Sequence, residues 1–361
     1  MRSRESLVLC QFALGSILAL GCSDDGGTQE GGGTGESGND EVDTSESESG
    51  STGDTSTTTD PTTDTSSTDP TTDTSSTDPT TDTSTTDPTT DTSDTTSETG
   101  GLEGADYSQV GPYEVDVSSG QMQVNQQCNL AYDVYTPDTL DSDVAVLLAH
   151  GFMRSIDDMA ATAEHIASWG VKVYAVPLCT NSFQINHELN GEAIAALGQA
   201  LEPNGPIYAG FSAGGLAAWV AAANDPAAVA YVGLDAVDNG GLAGMVAGDL
   251  TAPIRGAIAE PGQCNTNNNF LPVYDMKAGA PVIKIVDAQH FDFETDACGL
   301  GDLGCTFCAP AGPETRATAL GMVTAGVLVE SGADLGGNAW WQPGGTYFDQ
   351  LVQDGKIQLV Q

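Results

Sequence analysis

The stretch Ile207-Tyr208-Ala209-Gly210-Phe211-Ser212-Ala213-Gly214-Gly215 decides how the rest of the chain is read. An apolar run short enough for a buried strand passes into Gly-x-Ser-x-Gly and then into an Ala-rich helical segment at 216–223. A serine on a strand-to-helix turn adopts a strained backbone, and glycines two places before and after it relieve the crowding. The turn exposes the hydroxyl at the strand's C-terminal end, beside a helix N-terminus that favours developing negative charge. A Gly-rich turn without chemistry is the bland alternative, and the strand-and-helix context weighs against it.

Working outward, strand-like and helix-like segments alternate. The continuous apolar run 144–149 has the pattern of a parallel strand covered on both faces. A helix is expected at 155–169, with Ile156, Met159, Ala160, Ala163, Ile166 and Ala167 as its apolar stripe. Ser155 with Asp158 resembles a capping box there, and Gly170 is the stop. Further strands are expected at 171–176, 206–211, 229–234, 254–259 and 281–286. Helices are expected at 192–201 and at 317–329, the latter after Pro313. An antiparallel edge at 113–117 and 130–135 precedes them. Repeated βα units imply an α/β domain with a mostly parallel central sheet and helices on both faces. Its site belongs at the carboxyl ends of the strands.

An alkyl hydroxyl is a poor nucleophile at neutral pH, so Ser212 needs a base, an acid to orient that base, and donors for an oxyanion. The chain has four histidines. His165 falls within the first helix and reads as a partly exposed helical residue. His187 lies in a polar loop ahead of the serine. His150 ends a strand as His150-Gly151-Phe152 and reads as a structural ligand of that loop. His290 follows strand 281–286, downstream of the serine, where the order Ser…acid…His requires the base. For the acid, Asp235, Glu260 and Asp238 compete in that order. Asp235 directly follows the first strand beyond the elbow, and Glu260 follows the next one. The expected oxyanion donors are the backbone N–H groups of Ala213 and Phe152. This chemistry calls for no metal and no cofactor. Phe152, Phe211, Phe291, Trp340 and Trp341 are candidates for an apolar acyl pocket, and equally for the core.

Composition sets the surroundings. Nine Lys and Arg stand against 51 Asp and Glu, a formal net charge of −42. No groove can neutralise a phosphate backbone with so few cations, so no nucleic-acid partner is expected. Residues 23–104 contain no Lys or Arg and few apolar side chains. Asp-Pro recurs there at Asp60, Asp69, Asp78 and Asp87, a period of nine. So polar a repeat buries nothing and reads as a disordered acidic tether, with a reach on the order of 200 Å. Residues 1–22 read as an export signal: Arg2 and Arg4, an apolar run at 7–20, then Gly21-Cys22. Residues 105–361 form the folded domain.

Gly21-Cys22 resembles the lipobox of bacterial lipoproteins, although Ala19-Leu20 departs from the usual order. That resemblance implies an acylated Cys22 as a membrane anchor. Ser23 after it implies the outer membrane, and simple cleavage with release is the rival. Removing Cys10 and Cys22 from the eight cysteines leaves Cys128, Cys179, Cys264, Cys298, Cys305 and Cys308. An even set in an exported chain points to disulfides, whose pairing the sequence does not choose. Cys298, Cys305 and Cys308 are close enough to staple one loop after His290. A zinc knuckle would want a nearby His or a second Cys-x-x-Cys.

Taken together, the chain resembles the α/β-hydrolase superfamily, and within it the chlorophyllase and bacterial polyester-hydrolase (cutinase-like) branch. The matching stretches are Leu148-Ala149-His150-Gly151-Phe152, His165-Ile166-Ala167-Ser168-Trp169-Gly170, Gly210-Phe211-Ser212-Ala213-Gly214, Val232-Gly233-Leu234-Asp235-Ala236-Val237 and Gln289-His290-Phe291-Asp292. The resemblance implies an α/β-hydrolase fold, a triad of Ser212, Asp235 and His290, and carboxylic esters as substrates, lipid or polyester among them. The cysteine-rich loop after His290 departs from the family, so the natural substrate does not carry over. A peptidase or amidase on the same scaffold, or a non-catalytic surface-binding protein, are the alternatives. Oligomeric state is not legible.

Overall fold

The computed structural model describes residues 103–295, 298–299 and 303–361. The expected export signal, Cys22 anchor and tether, up to residue 102, lie outside the described residues. Along the chain the strands are Val115–Gln123 (β1), Asn129–Pro137 (β2), Val146–Ala149 (β3), Val173–Val176 (β4), Ile207–Phe211 (β5), Ala230–Leu234 (β6), Ile254–Ile258 (β7), Val282–Ile285 (β8) and Ile357–Leu359 (β9). The helices are Ala160–Ala167 (α1), His187–Leu201 (α2), Ala213–Asn224 (α3), Leu242–Val246 (α4), Leu271–Tyr274 (α5), Leu303–Cys308 (α6), Pro313–Ser331 (α7), Asn338–Trp341 (α8) and Thr346–Gln353 (α9).

These strands make one sheet in the order β1-β2-β4-β3-β5-β6-β7-β8-β9. β3 to β8 run parallel, whereas β1, β2 and β9 pair antiparallel at the two sides. The protein is therefore α/β with a mostly parallel nine-stranded sheet, as the alternating pattern implied. Successive side chains of each central strand enter different cores. Val146 and Leu148, Ile207 and Ala209, Ala230 and Val232 pack with α1, α7 and α8. Leu147, Tyr208 and Tyr231 pack with α2 and α3. Burial on both faces explains why these strands read as unbroken apolar runs.

Several local expectations need correction. The helix expected at 155–169 is a 3-10 turn, Asp157–Met159, followed by α1. The Ser155 N–H and hydroxyl both donate to Asp158 Oδ2 (2.7 and 2.9 Å), which tightens the entry into a turn. α2 begins five residues earlier than expected. His187 is its first residue rather than a loop residue, because the Asn186 side chain accepts from the Leu189 N–H at 3.0 Å and caps it. α7 has Pro313 in its first turn as expected, and it runs longer, ending at Gly332 with φ 74°. His165 is buried, not partly exposed: its Nε2 meets the Tyr107 carbonyl at 2.8 Å because residues ahead of β1 fold over α1. Trp340 and Trp341 are core residues whose indole N–H groups donate to the Ala105 and Met322 carbonyls. They line no acyl pocket.

Among the described residues three disulfides form: Cys128–Cys179, Cys264–Cys308 and Cys298–Cys305. Only Cys298 and Cys305 staple the loop after His290. Cys308 reaches instead to the loop following β7. Among the described residues no helix is long and apolar enough to cross a membrane.

Candidate active site

Ser212 stands between β5 and α3 with φ 56° and ψ −122°, a conformation that non-glycine residues rarely adopt. Such backbone strain costs on the order of 1–3 kcal/mol and persists only where the surroundings over-determine it. Here they do. The Ser212 N–H donates to the Leu234 carbonyl at 3.1 Å, and its own carbonyl accepts from Val237 at 3.2 Å. A Cβ at Gly210 would overlap the Gly214 carbonyl, and one at Gly214 would overlap the carbonyls of Ala149 and His150. Both glycines of the motif are thus demanded by close backbone approach. Behind the turn α3 is buried, with Trp219 edge-on to Tyr231 and Phe270.

Asp235 follows β6 directly, in a left-handed conformation (φ 43°), with its N–H on the Ala257 carbonyl at 2.8 Å. The carboxylate is 1% exposed and fully engaged. Oδ1 accepts from the Ala259 N–H at 3.0 Å, while Oδ2 accepts from Asn265 Nδ2 at 3.1 Å and from His290 Nδ1 at 2.6 Å. A carboxylate only accepts, so the His290 proton sits on Nδ1 and Nε2 is left as the basic nitrogen.

The other two carboxylates are employed elsewhere. Glu260 pairs with Lys284 at 3.1 Å, and Asp238 accepts from the Ala243 N–H at 3.0 Å at the start of α4.

His290 opens a 3-10 turn, His290–Phe293, that follows β8. Its ring lies 4.6 Å from that of Phe211, the residue before Ser212. Asp292 fixes the turn: its carboxylate accepts from Gln289 N–H (2.7 Å), Ala311 N–H (2.9 Å) and the Thr315 hydroxyl (2.8 Å). The Ser212 hydroxyl makes no hydrogen bond among the described residues, as is common for a site without substrate.

The loop after β3 lies against the elbow, since a Cβ at Gly151 would touch Phe211 and the Ser212 Cβ. His150 is a structural tie there. Leu178 N–H donates to its Nε2 at 3.2 Å, so Nδ1 carries the proton and donates to the Gly151 carbonyl at 2.8 Å. Burial pushes its pKa down, against the pull of that carbonyl. Phe152 sits partly exposed in the same loop, and Asn181 holds the loop through Met153 N–H at 2.7 Å and the Arg154 carbonyl at 2.6 Å. Ala213 is the first residue of α3, so its N–H has no acceptor within the helix.

Two partners escaped sequence reasoning. Arg154 joins the Phe152 loop to the His290 turn: its Nε lies 2.9 and 3.0 Å from the two oxygens of Glu294, and its guanidinium sits 5.0 Å over the Phe291 ring. Nothing in the local pattern pairs residues 140 apart. Asn265 had one available signal, the Asn-rich run Asn265-Thr266-Asn267-Asn268-Asn269, which marks left-handed turns. The chain matches no family model and no curated protein sequence, so the site is read from its own geometry.

Proposed function

We propose that the protein is an exported serine esterase that hydrolyses carboxylic esters by acyl transfer. The observation that carries this is Ser212, held in a strained conformation at the β5–α3 junction, together with a buried Asp235–His290 pair whose imidazole lies 4.6 Å from the ring of the preceding residue, Phe211. In this reading Ser212 Oγ attacks the ester carbonyl while His290 Nε2 takes its proton. Asp235 holds the imidazole and offsets the charge it gains. The Phe152 and Ala213 N–H groups receive the oxyanion, each worth roughly 3–4 kcal/mol at such a site. The tetrahedral species collapses, the C–O bond to the alcohol breaks, and His290 returns the proton to the leaving oxygen. Water then repeats the sequence on the acyl-enzyme and releases the acid.

The strand order and the elbow support an α/β-hydrolase fold of the chlorophyllase and cutinase-like kind. Apolar esters, lipid or polyester, suit the rim: Met153, Phe183 and Met245 stand exposed on segments that leave the carboxyl ends of β3, β4 and β6. Three disulfides fit an oxidising compartment outside the cytoplasm. Anchoring through Cys22 at the outer membrane completes the proposal, and palmitate incorporation lost in Cys22→Ala tests it.

Ser212→Ala, assayed on p-nitrophenyl acyl esters and by fluorophosphonate labelling, tests the chemistry. Both signals are expected to vanish, and undiminished hydrolysis overturns the reading. An amide series run beside the esters separates esterase from peptidase.

A further inference from the structure

We propose that Asn265 is a positioning residue for the triad: its side-chain amide holds the Asp235 carboxylate in line with His290 Nδ1. The inference rests on the serine-esterase reading above and adds a residue that the Ser-Asp-His pattern does not contain.

Asn265 is 1% exposed and every polar atom of its side chain is used. Nδ2 donates to Asp235 Oδ2 at 3.1 Å, the same oxygen that takes His290 Nδ1, and to the Glu260 carbonyl at 2.9 Å. Oδ1 accepts from the N–H groups of Gly262 at 2.8 Å and Asn268 at 3.2 Å. The Ala259 N–H holds the other oxygen of Asp235. Ala259 and Asn265 therefore fix both the tilt and the rotation of the carboxylate, which His290 alone could not do.

The segment that delivers Asn265 is costly to build. Thr266, Asn267 and Asn268 adopt φ of 51°, 55° and 57°, three successive left-handed residues without a glycine. Strain of this kind survives where the surroundings hold it, and it concentrates at functional sites. The holder is visible: the Cys264–Cys308 disulfide ties the neighbouring residue to α6. The chemistry also selects the residue. A buried carboxylate needs a donor there, and a carboxylate at 265 would set two like charges against each other.

The test uses the full chain and p-nitrophenyl esters, with steady-state kinetics from about pH 6 to about pH 9 and thermal melting as the fold control. Asn265→Asp keeps the acceptor that serves Gly262 and Asn268 but loses the donor, unless the new carboxyl is protonated. It is expected to lower kcat about tenfold or more near pH 8, with KM within about twofold. Its activity relative to the parent protein is expected to recover towards pH 6, where a shared proton restores a donor. Asn265→Ala is expected to lose kcat at every pH without that recovery. Parental kcat in Asn265→Asp, or a loss equal at all pH values, overturns the proposal. Should Asn265→Asp fail to fold, parental kcat in a folded Asn265→Ala overturns it too. Ser212→Ala runs alongside: if it retains activity, the esterase reading itself has failed.

Discussion

Asp235 Oδ2 and His290 Nδ1 meet at 2.6 Å although 55 residues separate them in the chain. Asp235 comes directly off β6 and His290 off the loop after β8, two strands away in the same sheet. A pair so buried, with the carboxylate bound from three sides, holds the imidazole in one tautomer. This contact singles out Asp235 from Asp238 and Glu260.

Asp235→Asn is expected to lower kcat on the order of 10⁴-fold, because the amide reverses the hydrogen-bond polarity at Nδ1. Glu260→Gln, which loses a half-exposed pair with Lys284, is expected to change kcat little. Ester kinetics on both variants decide, and the opposite ranking would assign the acid role to Glu260.

Glu294 is 1% exposed and takes the Arg154 guanidinium through both oxygens. Glu294→Gln removes one of the two carboxylates that hold Arg154 and leaves Asp158 at 3.0 Å, so a loss of about 1–3 kcal/mol in unfolding free energy is expected. Denaturant titration measures it. Because Arg154 also carries the Phe152 loop, kcat should fall alongside stability; parental stability would show the pair to be dispensable.

Opening the Cys264–Cys308 bridge frees a span of 44 residues. Replacing both cysteines by Ala is expected to cost about 2–4 kcal/mol of stability. At a temperature where the variant stays folded, kcat should still drop, since the Asn265 segment loses its tether. Melting curves with matched ester assays check both effects.

Histidine burial predicts acid sensitivity. Desolvation lowers the pKa of His187 to about 4 and lowers those of His150 and His165. Unfolded, each returns to about 6.5, so below that pH the unfolded chain binds more protons than the folded one. Stability is therefore full above about pH 6.5 and declines as the pH falls towards 4. Melting temperature measured from pH 7 down to about pH 5 should fall, and less steeply in His187→Asn. An unchanged slope in that variant would exclude His187 as a contributor.

Much of the architecture was legible because its causes are local. The unbroken apolar runs marked β3 to β6, since a strand covered on both faces has no polar side. Pro313 marked the start of α7 and Gly170 the end of the α1 segment, each through its own backbone preference. Where packing outweighed local preference, the reading failed. His165 turned inward because residues near Tyr107 fold over it. For Trp340 and Trp341 the sequence left pocket and core open, and packing beside α7 chose the core. The short strand β9 carried too little pattern to be seen.

By itself the sequence determined the elbow: Gly210, Ser212 and Gly214 lie within five residues, and the clash of a side chain at 210 with the Gly214 carbonyl is settled inside that span, whereas at 214 the clash is with the Ala149 and His150 carbonyls at the end of β3. It also determined the α/β alternation, which follows from burial period. Only the tertiary structure decided that Asp235 rather than Glu260 meets His290, that Asn265 and Arg154 serve the site, and how six cysteines pair. Those choices depend on which loops the sheet brings side by side. Charge and hydrogen-bond partners within 3 Å are a property of that packing and leave no periodic trace along the chain.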